Sequence, residues 1–321
     1  MISIVVPIFL VILTGYLFAK RSPLGADAGK LINDYVLYIA LPALLFLSVA
    51  QAKPQELLHV EFVLATLAGV FVAYMLGIII AAFRSIPAPS SSIVAMAACY
   101  GTTGYMGVPI AIAAFGQEAA VPAAIATILH NIPAIMAVII TYGIYDKRNN
   151  EQRIALPAII LGATKTTLLN PLTVAVITGM AFSFLAIPLP EILKTFTQFL
   201  AGAAGPTALF ALGLGLAGLN AKSYLNLENL LSLSPIVFIK IIIQPLVTFL
   251  VAYHFLAMQL SDVYLLVAIV MAAQPIGAGV YVFANKFDYF QDNTAISIIV
   301  SLFITVITLT ILLELTSGYL Q

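Results

Sequence analysis

The feature that most constrains this chain is a succession of apolar runs, each about 20 residues long, with no two-residue alternation. Such a run is long enough to cross a bilayer core as a helix. At that depth every backbone N–H and C=O must find a partner within the protein, which leaves helices or a closed barrel. A barrel would show a polar residue at every second position. Ten runs fall near 3–19, 31–49, 62–83, 91–115, 120–144, 168–187, 195–218, 233–255, 263–284 and 293–314. The expected fold is an all-α integral membrane protein with ten transmembrane helices. Composition bears on what it can bind. Only 8% of residues are charged, against roughly 25% in an ordinary soluble domain. A formal net charge of zero and the absence of basic tracts exclude nucleic acid as a partner and leave the lipid bilayer. Cys99 is the sole cysteine, which rules out an internal disulfide or a cysteine metal cluster. The first run starts at Ile2 without a basic leader and meets Lys20 and Arg21 at its far end, so it reads as a retained span rather than a signal peptide.

Orientation follows from the cations, because Lys and Arg accumulate on the cytoplasmic side. With the N-terminus outside, the inner loops hold Lys20, Arg21, Lys30, Arg84, Lys147, Arg148, Arg153, Lys165, Lys222 and Lys286, and the outer loops hold only Lys53 and Lys194. Both termini are therefore expected to be external, in a cell membrane that is read as a bacterial inner membrane. One long polar connection, "YDKRNNEQR" at 145–153, divides the chain in two.

The two parts resemble each other. "PIFLVILTG" from Pro7 to Gly15 returns as "PLTVAVITG" from Pro171 to Gly179, and "PALLF" from Pro42 returns as "PTALF" from Pro206, both at an offset of 164. "PIAIAAF" from Pro109 matches "PIGAGVY" from Pro275 at an offset of 166. With five spans per copy, the second copy must enter the membrane from the opposite side, an inverted repeat of the kind that builds secondary transporters. The expected division is a first five-helix repeat at 1–146, a cytoplasmic linker at 147–165 and a second, inverted repeat at 166–321.

The fourth and ninth runs are both interrupted by helix-breaking residues. In "AACYGTTGYMGVPIAIAAFG", residues 97–116, Gly101, Gly104, Gly107 and Pro109 disfavour a helix interior by about 1 kcal/mol per Gly and about 3 for Pro. The ninth run carries Pro275, Gly277 and Gly279. Both helices are expected to be broken, with half-helix N-termini following Pro109 and Pro275. Paired interruptions at equivalent places mark a binding site, and helix N-termini suit an anion. Among polar residues within spans, His130 and Asn131 in the fifth run and Gln274 beside Pro275 are costly unless they face a cavity or find partners. Interhelical hydrogen bonding is the plainer account of them. Lys240 in the eighth run either balances a substrate carboxylate or extends its head to the interface. The candidate substrate-binding set is Thr102, Thr103, Gly104, Pro109, His130, Asn131, Gln274, Pro275 and Gly277, with no catalytic group and no metal ligand.

"PIFLVILTGYLFAK", "YIALPALLF", "GYMGVPIAIAAFG", "NPLTVAVITGMAFSFLAIPLP", "GPTALFALGLGLA" and "QPIGAGVYVFANKFD" together resemble the auxin efflux carrier family, which includes the plant PIN-FORMED exporters and bacterial malonate and malate carriers. The resemblance implies an inverted five-plus-five fold in which broken helices 4 and 9 cross. It further implies a scaffold domain from helices 1, 2, 6 and 7 and a transport domain from helices 3–5 and 8–10, which shifts in an elevator-like motion carrying small carboxylates. Family members commonly have Asn seven residues before the crossing proline of helix 4. Here that residue is Thr102, so the substrate stays open.

A proton or cation antiporter would want a carboxylate in the fifth run, and residues 120–144 contain none. A sodium-coupled bile-acid-type symporter remains an alternative, because Thr102, Thr103, Asn131 and Gln274 are oxygen ligands of the sodium-binding kind. An enzyme would need a reactive constellation, and no Gly-x-Ser-x-Gly, His-Glu-x-x-His or phosphate-binding Gly-Lys motif is present. A non-transporting receptor would not require two opposed broken helices. The expected protein is thus a carboxylate carrier without a cofactor. A coupling proton or sodium ion, the direction of transport and the oligomeric state, a homodimer included, are left open.

Overall fold

The computed structural model describes residues 2–22, 25–145, 156–219, 227–259 and 262–317. These residues are almost entirely helical: α1 (Ile2–Arg21), α2 (Gly25–Tyr35), α3 (Leu41–Ala50), α4 (Pro54–Leu57), α5 (Val60–Phe83), α6 (Ser91–Cys99), α7 (Val108–Phe115), α8 (Ala120–Tyr145), α9 (Leu156–Leu168), α10 (Pro171–Phe184), α11 (Glu191–Gly218), α12 (Leu227–Phe238), α13 (Gln244–Leu250), α14 (Val263–Ala272), α15 (Ala278–Lys286) and α16 (Gln291–Ser317). Single π turns join α2 to α3, lead into α7, and flank α13.

Among the described residues, seven helical stretches are long and apolar enough to cross a bilayer: Ser3–Arg21, Ala28–Ala50, Pro54–Phe83, Gln117–Tyr145, Glu191–Gly218, Leu227–Phe255 and Gln291–Thr316. The three other expected runs take different forms. At 91–115 and 263–284 the chain is split into short helices. At 168–187 there is α10, joined to α9 at a bend of 74°, and the pair counts as an eighth span if taken together. The bend has a local cause: Asn170 is extended, its side chain accepts a hydrogen bond from Leu172 N at 2.9 Å, and Pro171 opens α10, so the chain restarts in a new direction. Residues 156–165, expected as part of a linker, belong to α9. The rest of that linker, with Lys147, Arg148 and Arg153, lies outside the described residues, as does Lys222.

Packing falls into recognisable groups. α1 runs along α11, and α3 packs against both α10 and α11. α5 lies on α6 and α13, and α14 lies on α8 and α13. Ala204, Ala208 and Ala211 of α11 meet Val36, Ala40 and Leu41 in one core. Small residues there let the helix axes approach where lipid supplies no hydrophobic drive between helices.

Candidate functional site

The two broken stretches meet. α6 ends at Cys99 and α14 at Ala272, and the extended segments that follow run antiparallel through a bridge between Gly101 and Ile276. Thr102 N donates to Pro275 O at 2.9 Å and Gly277 N donates to Tyr100 O at 3.1 Å. Each break thus satisfies backbone groups of the other, which is how irregular backbone survives in an apolar interior. The Thr102 hydroxyl also faces this joint, 3.3 Å from Pro275 O and 3.2 Å from Ile276 O. Ile276 N donates to Ser301 Oγ of α16 at 3.1 Å.

The break in the fourth run is therefore at Tyr100–Thr102 and not at Pro109. Helical structure resumes at Thr103, and Pro109 lies inside the second half, where a missing N–H costs little because the first turns of a helix leave such groups unpaired. The expectation that a half-helix begins after Pro109 is corrected accordingly. After Pro275 the helix resumes at Ala278. The crossing thus opposes two helix C-termini, α6 and α14, to two helix N-termini, at Thr103 and at Ala278.

Thr102, Thr103, Gly104, His130, Gln274, Pro275 and Gly277 are all buried, and Asn131 and Pro109 are partly so. Most hydroxyls in these helices are satisfied locally, as Thr127 is by Ala123 O at 2.9 Å. That makes the exceptions informative. Thr103 Oγ1, His130 Nε2, Asn131 Oδ1, Gln244 Oε1 and Gln274 Oε1 are buried with no hydrogen-bond partner, and such groups cost about 1–3 kcal/mol each in a protein interior. Gln274 Nε2 bonds Val270 O at 2.8 Å on its own helix, which leaves its oxygen open. His130 Nδ1 lies 3.2 Å from Gln244 Nε2.

Lys240, in the π turn before α13, is completely buried, so extension of its head to an interface is excluded. Its Nζ donates to Ala272 O at 2.6 Å, at the C-terminus of α14. A Cβ added to Gly101 would stand 3.3 Å from the same Nζ, so the ammonium is directly beside the crossing. Among the described residues no carboxylate lies within ion-pair distance of it. Local sequence could not show this placement. Tyr100, Ile276, Gln244 and Ser301 are likewise outside the expected set, and Gly101 was expected only as a helix breaker. For Ser301 a signal existed: Thr294, Ser297, Ser301 and Thr305 are buried at three- and four-residue spacing, one face of α16.

A cavity of 1210 Å³ opens between α3 and α11 on one side and α7, α8 and α14 on the other. Of the expected site residues it touches Pro109 alone, beside Gly205 and Pro206 of α11. The residues that bond across the crossing are not in the lining of this cavity, which includes the polar Gln51, Glu56, Glu118 and Asp262. Outside the cavity lining, the turn that leads into α7 is tied to α2 by a side-chain bond from Tyr105 Oη to Asn33 Oδ1 at 2.7 Å.

Comparison with known proteins agrees with this picture of a membrane protein built for passage. A family model described as membrane transport protein matches residues 1–313. A Rhizobium meliloti protein named "Putative malonate transporter" is 29% identical over 98% of this chain and 95% of its own length. A protein of Escherichia coli named "Uncharacterized transporter YfdV" is 25% identical over 94% of this chain and 93% of its own. A Methanocaldococcus jannaschii protein, "Uncharacterized transporter MJ1031", is 25% identical over 67% of this chain and 68% of its own.

Proposed function

Because this chain belongs to the membrane transport protein family, that of the auxin efflux carriers, we propose that it is a secondary transporter of small organic anions, with dicarboxylates of the malonate type as the first candidates. It acts as a carrier and not as an enzyme. The observation that carries the reading is the crossing of two broken helices beside the buried Lys240 head group, which has no carboxylate at ion-pair distance among the described residues. Two half-helix N-termini favour a negative ligand by about 0.3–1 kcal/mol each, and up to about 2 where partly buried. Thr103, Gly104, His130, Asn131, Gln274 and Gly277 supply the polar groups around it, and Thr102, Pro109 and Pro275 shape the crossing and its cavity wall.

The ten-span, inverted-repeat reading rests on one further geometric coincidence. A Cβ on Gly15 of α1 would run into Phe210 O of α11, and a Cβ on Gly179 of α10 would stand 3.0 Å from Phe46 O of α3. Gly15 and Gly179 share the repeat offset of 164, and so do Phe46 and Phe210. One contact is the other with the repeats exchanged, as an internal twofold axis requires. We take α1, α2–α3, α9–α10 and α11 as the scaffold and the remainder as the moving body, in a cell membrane with both termini external. Access to the closed crossing then requires the moving body to shift, an elevator-type alternation.

Uptake of radiolabelled malonate and of a panel of mono- and dicarboxylates into proteoliposomes tests the substrate class, with thermal stabilisation by the same compounds as a readout independent of direction. Cysteines replacing Asn33 and Tyr105, bridged by a short bifunctional reagent, test the motion. Bridging is expected to stop transport and leave ligand stabilisation intact. Undiminished turnover in fully bridged protein overturns the elevator.

A further inference from the structure

We infer that the Lys240 ammonium is a tethered resident cation that occupies the cation position of the crossing, so that this carrier needs no sodium ion to assemble its anion site. The inference rests on the proposed reading of the crossing as the transport site. In transporters built on broken helices, the unwound carbonyls and half-helix C-termini are where a coupling cation sits, and the N-termini face the anion. Here α6 and α14 bring two such C-termini together, and the carbonyl of Ala272, at the end of α14, already accepts from Lys240 Nζ at 2.6 Å. Lys240 is fully buried, with no carboxylate at ion-pair distance among the described residues, so its head group is held by a carbonyl oxygen rather than by an acid.

Two amide oxygens stand on the same elements with nothing bound to them. Gln244 lies one turn beyond Lys240, and Gln274 follows Ala272; the Oε1 of each is buried without a partner. The Ala272 carbonyl is a neutral oxygen ligand of the kind a sodium ion takes. A charged side chain already held at that carbonyl makes a free cation redundant there, and bringing a second positive charge beside it is opposed by Coulomb repulsion in a medium of low dielectric. Gly101 is what admits the head group, because a side chain there would crowd Lys240 Cε and Nζ at 3.3 Å.

The test needs no transported carboxylate, so a wrong substrate class leaves it untouched. Purified parent protein is melted in sodium chloride, choline chloride and methylammonium chloride at equal ionic strength. The parent is expected to melt at the same temperature in all three. Lys240→Ala removes the resident charge and frees the Ala272 carbonyl; it is expected to show a saturable rise of about 2 °C or more in sodium or methylammonium over choline. Lys240→Gln, which fills the space with a neutral amide, is expected to gain less. A saturable sodium stabilisation of the parent overturns the proposal even if neither variant accumulates. So does a Lys240→Ala protein that folds and responds to neither cation.

Discussion

The substitution Gly15→Ala probes the contact that the two halves of the chain make in duplicate. In an exposed helix, Gly→Ala stabilises by about 1 kcal/mol. At Gly15 the added carbon would overlap Phe210 O and stand 3.1 and 3.2 Å from Phe210 C and Cα, all backbone atoms of a packed helix that cannot rotate away. Relief requires α1 to back off from α11, and overpacking of this kind costs about 1–3 kcal/mol, with the rigid obstacle placing it near the upper end. The net expectation is a loss of about 2 kcal/mol. At Gly179 the obstacles are Val49 Cβ at 2.9 Å, Phe46 O at 3.0 Å and Val49 Cγ1 at 3.1 Å. The overlap is smaller, so Gly179→Ala should lose about 1 kcal/mol or break even. Gly202, also in a helix, has nothing within 4 Å of its Cβ position, and Gly202→Ala should gain about 1 kcal/mol. Melting temperatures in detergent should therefore fall in the order Gly202→Ala, parent, Gly179→Ala, Gly15→Ala. If Gly15→Ala melted at or above Gly202→Ala, the close approach of α1 and α11 would be refuted, and with it the paired contact behind the repeat.

Four other outcomes are expected. In a Cys99→Ala background, cysteines at Gln55 and Ser85 should react with a membrane-impermeant reagent from opposite faces, Gln55 from outside; labelling of both from one face defeats the ten-span topology. Gln274→Glu puts a negative charge where the proposed site would hold the substrate carboxylate, and two like charges at 4 Å repel by about 4 kcal/mol at an effective dielectric near 20, so malonate affinity should drop about a thousandfold. Gln274→Met should cost only about 1–3 kcal/mol, and a Gln274→Glu protein that binds malonate as tightly as the parent rules out an anion at the crossing. Tyr105→Phe deletes the 2.7 Å bond to Asn33, worth about 0.5–1.5 kcal/mol, and should shift the spectroscopically measured ratio of the two positions of the proposed moving body against the scaffold about two- to tenfold, with no added effect of Asn33→Ala. Glu118→Gln at the cavity rim should raise the malonate uptake rate at low ionic strength and not at high salt, since exposed charges steer encounter and are screened beyond about 8 Å.

Sequence determined the membrane-spanning class of this protein, because the penalty for an unpaired backbone group in hydrocarbon acts within each run of residues and needs no knowledge of neighbours. It also flagged both interrupted stretches, since Gly and Pro weaken a helix wherever it lies. Tertiary structure alone decided where the fourth run breaks. That break is at Tyr100–Thr102 because Tyr100 O and Thr102 N find partners in Gly277 and Pro275, residues remote in the chain, while Pro109 is absorbed into the helix that follows. The bend of 74° ahead of α10 had a local signal in Asn170 and Pro171. Lys240 shows the division most sharply. From its position in the eighth run, a buried and an interfacial ammonium are equally reasonable, because a lysine stem can reach in either direction. Which one obtains depends on the C-terminal carbonyl of a helix met only after folding, and that carbonyl holds the Lys240 head group beside the crossing.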